Sequence, residues 1–225
     1  MFDDADAAVA GVADGSTVLI GGFGMAGMPV VLIEALIRQG AGELTVVSNN
    51  AGNGDSGLAA LLAAGRVRMM ICSFPRQHDS WVFDGLYRAG KIELELVPQG
   101  NLAERMRAAG AGIGAFYCPT GVGTPLAQGK ETRTIDGRDY VLEYPIHGDV
   151  ALIAAHRADR MGNLTYRKTA RNFGPVMATA ATTTIVQVSQ VVESGAIDPE
   201  TVVTPGIFVN RVLDLSASVG TERST

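Results

Sequence analysis

Between Asp14 and Pro29 the chain reads DGSTVLIGGFGMAGMP, which passes from a polar turn through an apolar run into a glycine loop closed by a proline. Thr17 to Ile20 has the composition of a buried strand. Gly21, Gly22, Gly24 and Gly27 then leave the backbone free to take positive φ and to approach a ligand without intervening Cβ atoms. Pro29 suits the first helical position ahead of the apolar Val30–Ile37 run. An anion beside such a helix start meets free N–H groups and the positive end of the helix dipole. A strand, a glycine loop and a helix in this order point to an α/β protein.

The rest of the first half repeats that unit. An alanine-rich helix over 4–13 precedes it, and strands follow at Leu44–Val47, Val67–Cys72 and Ile92–Val97. Helices are predicted over 30–38, Leu58–Ala64, Trp81–Arg88 and Leu102–Ala109, with Trp81 and Leu86 turned inward. Continuously apolar strands alternating with helices predict an open, mostly parallel sheet with helices on both faces. Ligands sit beyond the carboxyl ends of such strands. There the sequence places the glycine loop, Ser48-Asn49-Asn50 and Pro98-Gln99-Gly100-Asn101. After Gly110 come a long glycine-rich loop to Thr124 and an inserted β-hairpin over Glu131–Tyr144, centred on Asp136-Gly137. Strands at Val150–Ala155, Leu164–Tyr166 and Thr184–Val188, with a short helix at Met177–Ala181, complete a single domain over 1–225. The polar residues 216–225 are read as a disordered tail.

Composition excludes several classes. Hydrophobic residues make up 47% and charged ones 18%, so the chain needs heavily buried strands or a large subunit interface. No apolar run reaches the roughly 18 residues of a membrane span, and the acidic start Met1–Asp6 is unlike a signal peptide. A cytoplasmic protein with no membrane association is expected. The net charge is −5 and the basic residues Arg66/Arg68 and Arg167/Lys168/Arg171 form no extended patch, which argues against nucleic acid. Cys72 and Cys118 read as buried thiols rather than a disulfide. His78, His147 and His156 stand far apart without ligand spacing, so no metal is expected.

Gly22-Phe23-Gly24-Met25-Ala26-Gly27 satisfies the dinucleotide fingerprint G-x-G-x-x-G in the required strand-to-helix context. The second strand, however, ends in Ser48 and Asn49 rather than in the acid that would hold a ribose. Three readings stay open: a nicotinamide oxidoreductase, a loop cradling phosphate or pantetheine, and a structural turn. Asn49, Asn50 and Gln99 can donate to a developing oxyanion without changing charge, or can simply cap loops. No G-x-S-x-G elbow occurs, and Glu34, Glu93, Glu95, Glu104, Glu131 and Glu143 all occupy ordinary positions. The chain thus offers a ligand-shaped loop system with no nucleophile.

At this point Asp14-Gly15-x-x-Val18-Leu19-Ile20-Gly21-Gly22-Phe23-x-x-x-Gly27-x-Pro29 resembles the signature of the first subunit of the class I 3-oxoacid coenzyme A transferases. The likeness extends through Ser48–Gly52, Pro98–Arg105, Pro119–Thr124, Gly162–Tyr166, Ala170–Phe173 and Thr204–Val209. Ser73–Gln77 and Val82–Glu95 are similar to the subunits that act on 3-oxoadipate more than to those that act on acetoacetate. The resemblance implies ping-pong transfer of CoA from succinyl-CoA to 3-oxoadipate, or alternatively to acetoacetate or another short-chain 3-oxoacid, by way of a glutamyl-CoA thioester. The glutamate lies in a Ser-Glu-Asn-Gly motif absent here, so the second kind of CoA-transferase subunit would carry it in an α2β2 heterotetramer. Coenzyme A would be a co-substrate, with no permanently bound cofactor. By the same likeness Gly21, Gly22, Phe23, Gly24, Met25, Ala26 and Gly27 contact CoA, and Asn49, Asn50 and Gln99 face the partner's glutamate. Arg76 is a candidate for the second carboxylate of the acid, against its reading as a plain surface arginine. A binding module that holds acyl-CoA without chemistry is the remaining alternative.

Overall fold

We describe the protein from a computed structural model, which describes residues 1–216. The first half follows the predicted rhythm: α1 (Ala5–Val9), β1 (Thr17–Ile20), α2 (Val30–Gln39), β2 (Leu44–Val47), α3 (Leu58–Ala63), β3 (Val67–Cys72), α4 (Trp81–Arg88), β4 (Glu93–Leu96) and α5 (Gln99–Gly110). Next come the short strands β5 (Phe116–Cys118), β6 (Thr132–Ile135) and β7 (Arg138–Glu143). The described residues finish with β8 (Gly148–Asp159), β9 (Leu164–Thr165), α6 (Gly174–Ala180), β10 (Ala181–Val192) and β11 (Arg211–Asp214).

The main sheet has the order β11-β10-β8-β1-β2-β3-β4, with β9 added against β8. Every pairing along that path is parallel, and β9 alone runs antiparallel. Successive side chains of a strand point to opposite faces, and β1 sends Val18 and Ile20 into one apolar layer and Leu19 into the other. The first layer is closed by α1 to α4 through residues such as Val9, Leu32, Leu36, Leu61 and Phe83. The second is closed by α5 and α6 through Leu102, Met106 and Met177. Each of these large side chains is worth about 1.5–3 kcal/mol when fully buried. Covering both faces explains why the strands read as continuous apolar runs.

β1 lies at the point where the strand order reverses. From it the chain winds outward through β2, β3 and β4, then returns to the other side of β1 as β8. A crevice opens beyond the carboxyl ends at such a switch. Its wall is raised by β8 and β10, because β1 pairs with β8 only as far as Ile20–Leu152 while β8 and β10 stay paired out to Asp159–Val192.

Several expectations change. Trp81 is 62% exposed instead of inward, because the buried stripe of α4 runs through Val82, Phe83 and Leu86 and leaves Trp81 on its flank. Pro98-Gln99-Gly100-Asn101 is not a loop before a helix: Pro98 is the cap and Gln99 opens α5. Pro29 likewise caps α2 and does not occupy its first turn. The Asp136-Gly137 turn has positive φ at both residues (50° and 75°), as a type I′ turn requires. The inserted unit is larger than a hairpin, since β5 from the expected loop pairs with β7 to make a three-stranded sheet. β5 and β11 escape a reading from local pattern because short strands are defined by distant partners. Residues 217–225 of the expected tail lie outside the described residues.

The insert is tied down by polar contacts from α5. Glu143, 3% exposed, accepts from Asn101 Nδ2 at 3.1 Å and from Lys130 Nζ at 2.8 Å. Arg105, one turn after Asn101, pairs with Glu95 at 2.6 Å and donates to the Tyr144 carbonyl at 2.7 Å.

Candidate active site

The glycine loop is built as a rigid tongue. Gly21 N–H donates to Leu152 O and prolongs the sheet by one bond. Phe23 and Ala26 exchange two backbone hydrogen bonds, at 3.0 and 3.2 Å, so Gly24 and Met25 form a tight tip. The segment Ala170–Phe173 clasps this tongue. Asn172 Oδ1 accepts from Gly22 N–H at 3.1 Å, and Asn172 Nδ2 donates to Ala26 O at 2.9 Å. Gly27 passes so close that a Cβ there would lie 2.3 Å from Ala170 O, at a φ of +72°. Phe23 and Met25 are left half exposed at the rim.

The helix start behind the loop has part of its N–H groups already taken. Gln187 of β10 reaches across and accepts from Leu32 N–H at 3.2 Å, and Val30 N–H donates to Met28 O. The terminus is thus less open than the sequence suggests, since the amides of Val30 and Leu32 are already engaged. α2 also begins three residues beyond Gly27, which removes the geometry a dinucleotide pyrophosphate needs.

Beside the tongue, the ends of β2 and β3 and the first turn of α5 bring amides together. Asn49 is 2% exposed, and its Oδ1 accepts from Ser73 Oγ and from Gln99 Nε2, both at 2.8 Å. The main-chain carbonyl of Asn49 takes the N–H groups of Ser73 and Phe74 at 3.2 and 3.1 Å. These residues line a cleft of about 430 Å³ with Phe23, Phe74 and Gln77. A second cleft of about 490 Å³, also lined by Phe23, is bounded by Ala26, Thr169 and Asn172.

The structure therefore brings Asn49, Gln99 and Phe23 into one cleft, across 50 residues of sequence between the two amides. Asn50 is not on its wall. Buried and turned away, its Oδ1 accepts from Gly52 N–H at 2.9 Å, and its Nδ2 has no partner. Arg76 lies outside the cleft lining and is paired with Asp84 at 2.6 Å. None of the six glutamates lines either cleft. Cys72 sits one residue before Ser73, but burial pushes its thiol up to about 12, so it is not a nucleophile at neutral pH. Among the described residues no group of His, Cys, Asp or Glu could hold a metal ion, and no helix is long and apolar enough to cross a membrane. Sequence reasoning missed the parts played by Ser73, Asn172 and Gln187. Asn172 and Ser73 lie inside stretches that carry the family likeness, yet nothing local gives them a role.

A glycine tongue at the switch point of a mostly parallel α/β sheet stands beside a cleft lined by amides and free of carboxylates. The chain belongs to the coenzyme A transferase family, whose profile matches residues 2–215. It is 67% identical over 217 residues to the first subunit of the 3-oxoadipate CoA-transferase of Pseudomonas putida, covering 96% of this chain and 94% of that one. It is 54% identical to the corresponding subunit of the succinyl-CoA:3-ketoacid coenzyme A transferase of Xanthomonas campestris, covering 94% of this chain and 87% of that one. Among solved structures, an acyl-CoA transferase from Escherichia coli superposes with a TM-score of 0.82 at 25% identity, over 94% of this chain. This chain spans 46% of that protein. Glutaconate coenzyme A-transferase from Acidaminococcus fermentans shares the fold, with a TM-score of 0.82 at 22% identity over 93% of this chain and 74% of that one.

Proposed function

We propose that this chain is the first, non-nucleophilic subunit of a two-chain transferase that moves CoA from succinyl-CoA to 3-oxoadipate. The observation that carries the reading is the lining of the Asn49–Gln99 cleft, which holds neutral amide donors and no carboxylate, thiol or cation. Each half of such a transfer is an acyl exchange, in which a carbonyl oxygen gains negative charge in the transition state. A preorganised neutral donor stabilises that oxygen, by up to roughly 3 kcal/mol each. The nucleophilic glutamate then comes from the second kind of subunit, which presents it to this cleft in an α2β2 heterotetramer in the cytoplasm. The tongue Gly21–Gly27, with Phe23 and Met25 at its rim, forms the side of the site that receives coenzyme A. The choice of 3-oxoadipate over other 3-oxoacids is supported by the 67% identity to a subunit named for that acid.

Co-expression with a partner carrying Ser-Glu-Asn-Gly tests this. We expect thioester exchange from succinyl-CoA to 3-oxoadipate to exceed that to acetoacetate, with no transfer by the isolated chain. Light scattering should report two copies of each subunit. Transfer by the isolated chain at the rate of the complex would sink the half-site reading, whereas faster use of acetoacetate would sink only the choice of acid.

A further inference from the structure

We propose that Ser73 is a positioning residue that decides which of two touching amides presents its NH2 group to the reacting carbonyl. The proposal rests on the reading of the Asn49–Gln99 cleft as the donor site. An amide side chain accepts at one end and donates at the other. The contact between Asn49 and Gln99 can therefore be made in two ways. Gln99 Nε2 can donate to Asn49 Oδ1, which leaves the Asn49 NH2 group free. Alternatively both amides turn over, Asn49 donates to Gln99, and the NH2 group of Gln99 is the free one.

The Ser73 hydroxyl breaks this tie. It lies 2.8 Å from Asn49 Oδ1 and 3.1 Å from the Asn49 main-chain oxygen. A carbonyl oxygen has two lone pairs, and that main-chain oxygen already accepts from the N–H groups of Ser73 and Phe74. The hydroxyl proton therefore goes to the side chain, and the atom receiving it must be an oxygen. Once Oδ1 is fixed by two donors, Nδ2 of Asn49 becomes the free donor, and among the described residues it has no acceptor. Asn49 itself cannot swing, because its backbone is held at the end of β2 against β3, where Ser48 N–H donates to Ile71 O and Asn50 bridges Phe74. A donor fixed before substrate arrives needs no reorganisation during the reaction.

The test uses the assembled two-chain enzyme. Asn49→Ala should lower kcat by about 100-fold. Ser73→Ala should lower kcat by roughly 10-fold, the scale of one hydrogen bond, with KM for succinyl-CoA within about twofold. Combined with Asn49→Ala, it should add nothing, because Ser73 acts only through Asn49. Size exclusion checks that each variant assembles. If Ser73→Ala does not assemble, the pair Ser73→Thr and Ser73→Val, equal in shape but differing in the hydroxyl, replaces it, with only Thr keeping near-normal kcat. Normal turnover by Ser73→Ala, or an undiminished effect of it in the Asn49→Ala background, overturns the role of Ser73 while the donor reading stands. Normal turnover by Asn49→Ala overturns the donor reading and the proposal together.

Discussion

The side-chain oxygen of Asn172 accepts a hydrogen bond from Gly22 N–H across 150 positions of sequence, and the same side chain donates to Ala26 O. One amide thus holds both limbs of the tongue, on either side of its Gly24-Met25 tip. Asn172 also caps its own turn by accepting from Phe173 N–H at 2.7 Å. Asn172→Ala should cost about 1–3 kcal/mol, because the N–H of the buried Gly22 loses its partner. In the assembled enzyme it should raise KM for acyl-CoA more than it lowers kcat, in steady-state assays. An unchanged KM would separate the tongue from coenzyme A.

Gly27 and Gly24 provide a contrast within the same loop. Both have positive φ, but a Cβ on Gly27 meets Ala170 O at 2.3 Å while one on Gly24 meets nothing within 4 Å. Gly24→Ala should cost only the roughly 1–2 kcal/mol of left-handed backbone. Gly27→Ala should cost more, because the strap must also move, and thermal melts of the two variants should differ accordingly.

Gln99 opens α5, is exposed and contributes nothing to the apolar core, yet it donates to Asn49 at 2.8 Å. Gln99→Ala should therefore reduce turnover of the assembled enzyme by about 10-fold and leave its melting temperature within a degree or two. A loss of assembly with unchanged turnover per complex would count against any part for Gln99 in the chemistry.

Glu143 joins the inserted sheet to α5 by way of Lys130 and Asn101. Removing one partner of a buried charged cluster leaves the others uncompensated, so Glu143→Leu should destabilise by roughly 3 kcal/mol. Limited proteolysis should then cut between residues 113 and 146 before the parallel sheet opens. Cleavage in the sheet first would show the two parts to be one cooperative unit.

The buried thiol of Cys72 gives a pH dependence with a definite sign. Burial raises it from 9.0 to about 12. Below pH 9 both folded and unfolded chains hold the proton, and the full stability is present. Between pH 9 and 12 the unfolded chain releases it while the folded one keeps it, so stability falls as pH rises. Tyr166, raised from 10.0 to about 12 by burial, acts in the same direction. Cys72→Ala should lower stability at pH 7 by a kcal/mol or two through the lost side-chain volume and flatten the decline above pH 9 in urea titrations. An identical slope would place the alkaline loss elsewhere.

The first four strands, with bounds right or within a residue, were legible because burial on both faces writes apolar runs that glycines and helical patterns separate. β5 and β11 were not, since Phe116–Cys118 and Arg211–Asp214 are short and become strands through β7 and β10. Of the site, the glycine tongue and the amide types at strand ends could be read directly. That Asn50 faces a turn while Asn49 faces the cleft could not, because alternation separates the two side chains without saying which side the cleft lies on.

The sequence by itself determined the layered α/β plan and the glycine tongue, because these depend on local composition and spacing. Tertiary structure alone decided that Asn172 would clasp the tongue, that Gln187 would close the start of α2, and that Ser73 and Gln99 would meet on one oxygen of Asn49. Hydrogen bonds between residues 24 to 155 positions apart leave no periodic trace. Their partners are chosen by the parallel register that sets the strand ends side by side.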